Sequence, residues 1–297
     1  MPDWTRLEAT GACTPVRAWG FHMHIRYGFD VALDLAQPAT LLTMMDVHSD
    51  FRRGIVEERE LEVAPAIAAE RFLDDSGNIV RRLSAPAGSV SLRLQGVFGA
   101  DGREDEVDTT ADAVAAPDLP HDTLPFLRPS RYCETDLLAD FAWANFGAIG
   151  GGWARVQAIC DFVHQRLQFS YPLARPTRTA SEALAEGVGV CRDFTHLAVA
   201  LCRCLNIPAR YCNGYLGDIG VPPDPAPMDF NAWFEAFLGG RWFTFDARHN
   251  QPRIGRILIS RGRDAADIPM ITTFGPHRLT RFAVVTEEIK EPASVAA

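Results

Sequence analysis

No run of 18 or more apolar residues occurs in the 297-residue sequence, so a membrane-spanning helix is not expected. The start, MPDWTRLEATGACTP, carries an early acidic residue and no apolar stretch, and does not read as a secretory signal. A basic surplus is lacking as well. Lys and Arg number 29 against 38 Asp and Glu, giving a formal charge of -9 and a pI near 5.4, without the electrostatic footprint that nucleic-acid binding needs. There is no internal repeat and no long low-complexity tract. The seven cysteines, at 13, 133, 160, 191, 202, 204 and 212, include no CxxC, and Cys202-x-Cys204 has no His or Cys partner at zinc-finger spacing. An odd count without an export signal argues for reduced thiols in a cytoplasmic protein. No metal or cofactor is called for.

What is present is ordinary globular composition: 47% hydrophobic and 23% charged residues, enough for a sizeable core. The length suits two domains, and the texture changes along the chain. The first ~120 residues read as β-rich. Phe21 to Tyr27 and Val90 to Leu94 alternate, as does the segment around Val97 and Phe98. Asp74-Asp75-Ser76-Gly77-Asn78 is a turn flanked by Arg71-Phe72-Leu73 and Ile79-Val80, which predicts a hairpin. An antiparallel sandwich or barrel-like module over residues 1–125 follows. Ala111 to Pro129, rich in Pro and Asp, reads as a linker, and 126–297 as a second domain.

In that second domain Val156, Ile159, Val163 and Leu167 recur at helical spacing from Trp153 onward. A second helix is predicted from Cys191 to about Leu205, after the loop Gly187-Val188-Gly189-Val190. Strands follow at Ala209 to Tyr215, Ala232 to Phe237 and Arg241 to Phe245, with Gly239-Gly240 turning the last two. Helices followed by antiparallel strands give an α+β fold.

Cys191 opens its helix behind a glycine loop. Free backbone N–H groups and the positive dipole end there favour a thiolate and could line an oxyanion hole. A lowered thiol pKa is therefore expected; the plain alternative is a small buried hydrophobe.

The segment GVCRDFTHLAVALCRCLNIPARYCNGYLGD, followed by DFNAWFEAFLGGRWFTFDARHN, resembles the core of the transglutaminase-like superfamily. The likeness spans about residues 130–285, from SRYCETD to GRDAADIP, and the β-rich module resembles the one found in bacterial members. The resemblance implies a papain-like or transglutaminase-like domain acting on a peptide or protein, as a cysteine peptidase, amidase or acyl transferase. It makes Cys191 the nucleophile and Asp246 the residue that orients the base. The base itself is expected within Asp-Phe-His-Ala-Trp, yet the chain reads Asp229-Phe230-Asn231-Ala232-Trp233. An asparagine cannot take up a proton near neutral pH. Restoring histidine at 231 is expected to raise hydrolysis if the rest of the triad is intact.

His249, three residues past Asp246, could fold back toward Cys191, or could be a loop histidine bonded locally. His196 lies about 140° around the helix from Cys191 and points elsewhere; His164 and His277 have no positional claim. Asp193 is expected to cap the Cys191 helix and Arg192 to pair with Asp229 or Asp246. Trp233 and Trp242 read as sheet core, and Tyr171 as part of a loop that walls the cleft or merely connects. Three readings stand at this point: a cysteine acyl-transfer enzyme with an unusual base, a catalytically impaired scaffold that binds a peptide or partner protein, and a thiol chemistry in which Asn231 orients the substrate. The oligomeric state is not legible.

Overall fold

The computed structural model describes residues 21–290; Cys13 and the first residues lie outside them. The N-terminal half supplies β1 (Met23–Leu35), β2 (Ala39–Thr43), β3 (Ile55–Glu58), β4 (Glu62–Ala64), β5 (Ala69–Leu73), β6 (Ile79–Ala85) and β7 (Gly88–Ala100). The hairpin at Asp74–Asn78 forms between β5 and β6. Asp74 Oδ1 accepts the N–H groups of Ser76 and Asn78, each at 2.9 Å, which is how a short acidic side chain pins a turn. β1 is longer than the alternation at Phe21 to Tyr27 foretells. From Tyr27 to Leu33 it is buried throughout, Asp30 included, because it is paired along both edges.

The second half begins with α1 (Thr135–Phe146) and α2 (Trp153–Arg166), then β8 (Gln168–Phe169), α3 (Ala180–Glu186), β9 (Val188–Gly189) and α4 (Cys191–Cys204). Strands β10 (Ala209–Tyr215), β11 (Asn231–Leu238), β12 (Arg241–Phe245), β13 (Ile257–Gly262), β14 (Ile271–Thr273) and β15 (His277–Glu288) complete the chain. One sheet runs β12-β11-β10-β13, all antiparallel. Helix α4, buried on every side from Asp193 to Cys204, packs against this sheet with α1 and α2 outside it. Phe194, Leu197, Leu201, Phe234 and Phe245 are in that core. Trp233 is buried in the sheet, and Trp242 stacks edge-on against Phe126. This is the α+β architecture expected: an antiparallel β module joined to a helix-plus-antiparallel-sheet domain.

The chain does not divide at residue 125 in the simple way the composition suggests. β15 hydrogen-bonds along β1, and β14 pairs with β2, so residues 271–288 belong to the N-terminal sheets, ordered β15-β1-β7-β3 and β14-β2-β6-β5. The arginines in HRLTRF hide the alternation of β15 because this edge strand is exposed over its first half. The Pro- and Asp-rich segment 111–129 is not a free linker either: Ala111, Leu119 and Thr123 are buried, and Ala113 bridges to Leu238. No helix among the described residues is long and apolar enough to cross a membrane.

Candidate active site

The start of α4 is fixed by one buried carboxylate. Asp193 accepts the Val190 N–H at 2.9 Å and pairs with Arg178 Nη1 at 3.1 Å, so it caps the helix as expected and favours its positive end. The chain must pass close over that carboxylate. A Cβ on Gly189 would stand 2.6 Å from the Asp193 Cβ, and Gly187 has φ +70 at the end of α3, which is why this loop carries glycine. Thr195 Oγ1 donates to the Cys191 carbonyl at 2.9 Å and locks the first turn. Arg192 does not reach Asp229 or Asp246. Its guanidinium turns to Asp193 (2.9 Å) and to the carbonyls of Arg175 and Pro176, the nearest acceptors along its own turn and loop.

Cys191 is half-buried against Tyr211, Ala232 and Ile268, a cluster that Met44 of the N-terminal module also closes. Burial pushes the thiol up to about 11, and the nearby Asp229 carboxylate adds to the rise. Arg248 and the backbone amides of Ala232 and Arg192 act in the opposite direction without prevailing. The lowered pKa expected from the helix start is therefore not what the structure gives, because an enclosed sulfur loses more hydration than two amides and a dipole return. Alkylation by iodoacetamide is expected to follow a midpoint well above the free-cysteine value of ~8.5, close to about 11. A midpoint at or below 8.5 contradicts this environment.

Asp246 is buried at the end of β12 and almost saturated. Its Oδ2 accepts from His249 Nδ1 at 2.8 Å and from Arg256 Nη2 at 3.0 Å; its Oδ1 takes the N–H groups of Arg248 and His249. Burial alone would raise this carboxyl, but Arg256 and then His249 outweigh it and hold Asp246 well below the usual carboxylate range. Arg256 is fixed in turn by Asp105, from the segment leaving β7, with Nε–O distances of 2.8 and 3.0 Å. With an ionised Asp246 accepting at Nδ1, the His249 proton sits on Nδ1 and Nε2 is left as an acceptor.

Asn231 is the first residue of β11, opposite Gly214 of β10. Its Oδ1 accepts from Arg248 Nη1 at 3.0 Å, which also fixes the amide orientation, since a guanidinium can only donate. His249, Asn231, Arg248, Tyr171 and Asp229 line one cavity of about 60 Å³. Cys191 does not line it, but lies within electrostatic range of Asp229 and Arg248, and no histidine among the described residues hydrogen-bonds its sulfur. Tyr171 donates to Asp229 Oδ2 at 3.4 Å, and burial with that carboxylate pushes its hydroxyl up to about 12. Burial likewise raises Asp229.

The other histidines are held by local contacts. His196 is fully buried, stacked on Tyr132 with Nε2 accepting from the Ala265 N–H at 3.1 Å. His164 bonds the Arg248 carbonyl at 2.7 Å, and the exposed His277 bonds a neighbouring carbonyl at 3.3 Å. Two arginines escaped sequence reasoning: Arg248 and Arg256 have no motif of their own, and only their position beside Asn231 and Asp246 gives them meaning.

Comparison with known proteins agrees with this architecture. A profile of the transglutaminase-like superfamily matches residues 147–247, the span from the end of α1 through Asp246. A crystal structure of a candidate cysteine protease from Cytophaga hutchinsonii is 31% identical and superposes with a TM-score of 0.80, covering 92% of each chain. An uncharacterized protein of Mycobacterium leprae is 25% identical over 256 residues, 80% of this chain and 88% of its own. One from Mycobacterium tuberculosis is 34% identical over 98 residues, 30% of this chain and 31% of its own. The fold, the helix-start cysteine and these matches together place the chain in the transglutaminase-like superfamily.

Proposed function

We propose that this protein is a cysteine peptidase or amidase in which His249, rather than a residue at 231, serves as the base. The observation that carries the reading is the 2.8 Å hydrogen bond from His249 Nδ1 to Asp246 Oδ2 on the wall of the cavity that also holds Asn231. It reproduces the carboxylate–imidazole half of a triad with the imidazole supplied from beyond β12. In the proposed sequence the Cys191 thiol passes its proton to His249 Nε2, directly or through one water, as the sulfur bonds to the substrate carbonyl carbon. The amides of Arg192 and Ala232 favour negative charge at that point. Collapse of the adduct breaks the C–N bond, and the leaving amine takes the proton back from His249. Water then adds to the thioester while His249 accepts its proton, releasing the carboxylic acid and the Cys191 thiol. An amine in place of water would give acyl transfer by the same steps.

Acid-quenched intact-mass measurement during turnover of a peptide-amide panel tests this reading. An acyl increment on Cys191 that vanishes in Cys191→Ser is expected. Neither adduct nor product across the panel rejects it. The raised thiol pKa and the Arg248–Asn231 hydrogen bond favour a second reading, a scaffold that binds peptides without cleaving them, and binding without turnover in the same panel is its signature.

A further inference from the structure

Arg248 has no part in the proton path, yet both its backbone and its side chain are held at the cavity. Its N–H donates to Asp246 Oδ1 at 3.0 Å and its carbonyl accepts from His164 Nδ1 at 2.7 Å. The guanidinium lies over the Phe169 ring, 3.9 Å from the centroid, while Nη1 is spent on Asn231. An arginine fixed at these points has already lost most of the freedom that binding would cost it.

Its neighbours are committed elsewhere. Arg253 donates to the Gly217 carbonyl and faces Asp218, and Arg256 is shared by Asp105 and Asp246. Arg248 makes no ion pair among the described residues, and its Nε and Nη2 go to no protein acceptor among them. The acidic groups nearby do not fill this role. Asp218 takes the Asp224 N–H at 2.7 Å, Asp224 takes the Ala226 N–H at 2.9 Å, and Asp229 takes the Phe230 N–H at 2.7 Å with Tyr171 on its other oxygen.

We propose that Arg248 recognises a free carboxylate on the peptide substrate, adjacent to the amide bond that Cys191 attacks. The inference rests on the peptidase reading for its site and adds the substrate class. A planar guanidinium with two parallel donors unused is the group that takes a carboxylate in bidentate fashion. The same geometry explains Asn231. A neutral amide oxygen can hold Nη1, whereas an imidazolium at 231 would repel the guanidinium. Asparagine at the base position is thus a support for a binding residue.

Binding can be measured apart from turnover in the full chain carrying Cys191→Ala, by calorimetry with three short peptides of one sequence: a free C-terminal carboxylate, the C-terminal amide, and the amide with one glutamate introduced. A carboxylate-bearing peptide is expected to bind on the order of ten- to a hundredfold tighter than the all-amide peptide; which of the two does so tells a terminal from a side-chain carboxylate. Arg248→Gln added to the same chain removes that preference, and Arg248→Lys, which keeps charge but loses the fork, retains only part of it. Equal affinities, no binding by any of the three peptides, or a preference that survives in R248Q and R248K alike overturns the assignment. A carboxylate preference in a chain whose wild type shows no turnover retires the peptidase reading and leaves this site standing.

Discussion

His249→Ala is expected to reduce kcat/KM on a cleaved peptide about a thousandfold, within the ~10²–10⁴ that a positioned base supplies. The size of the effect follows from how the imidazole is held. Asp246 is buried and ionised, it accepts at Nδ1, and Nε2 is left as the acceptor of a ring that lines the cavity. Asn231→His alone is expected to give little gain, contrary to what the sequence motif suggests. Asp246 Oδ2 is already taken by His249 and Arg256, and Arg248 stands 3.0 Å from the Asn231 oxygen. In the His249→Ala background the same change should recover at least about tenfold, because the carboxylate has lost its imidazole. Turnover that survives His249→Ala intact removes His249 as the base. The four rates together separate a relocated base from one that was simply lost.

The largest expected stability effect lies behind the site, at Arg203. Its guanidinium is buried and makes no ion pair among the described residues. It donates to the Ala209 carbonyl at 2.8 and 3.0 Å, to Arg128 O and Ser130 Oγ at 3.1 Å each, and to Arg263 O at 2.6 Å. The C-terminal end of α4 is thereby tied to the start of β10, to the segment before α1 and to the turn after β13. Arg203→Met keeps the apolar stem and strands these carbonyls without donors. A loss of about 3–5 kcal/mol is expected, a drop of roughly 10 °C in melting temperature for a chain of this size. Urea unfolding monitored by tryptophan fluorescence measures it; a loss under about 1 kcal/mol would show that relaxation or water replaces the guanidinium.

Much of the fold is legible where local signals and tertiary environment agree. α4, β10 and β12 follow from periodicity and from the glycines that bound them, and the β5–β6 hairpin from one Asp-rich turn. Helix α1 is harder to read, since Leu138, Ala142 and Phe146 face the core while Leu137 and Trp143 are exposed, which blurs its apolar stripe. β15 is missed for a different reason. Its pairing partner is β1, some 250 residues earlier, and no local pattern carries information about so distant a neighbour. The N-terminal module also acts in a way its composition gives no hint of: Asp105 holds Arg256, and Arg256 holds Asp246.

The sequence alone determined the family resemblance, the helix-start cysteine, and the asparagine standing where a histidine is expected. These are matters of residue order and short-range geometry. Only the tertiary structure decided what they amount to. Hydration lost around a sulfur, a cation shared between two carboxylates, and an arginine settled on a phenyl ring are set by atoms far apart in the chain. They raise the Cys191 thiol, seat His249 on Asp246, and give Asn231 the Arg248 guanidinium to hold.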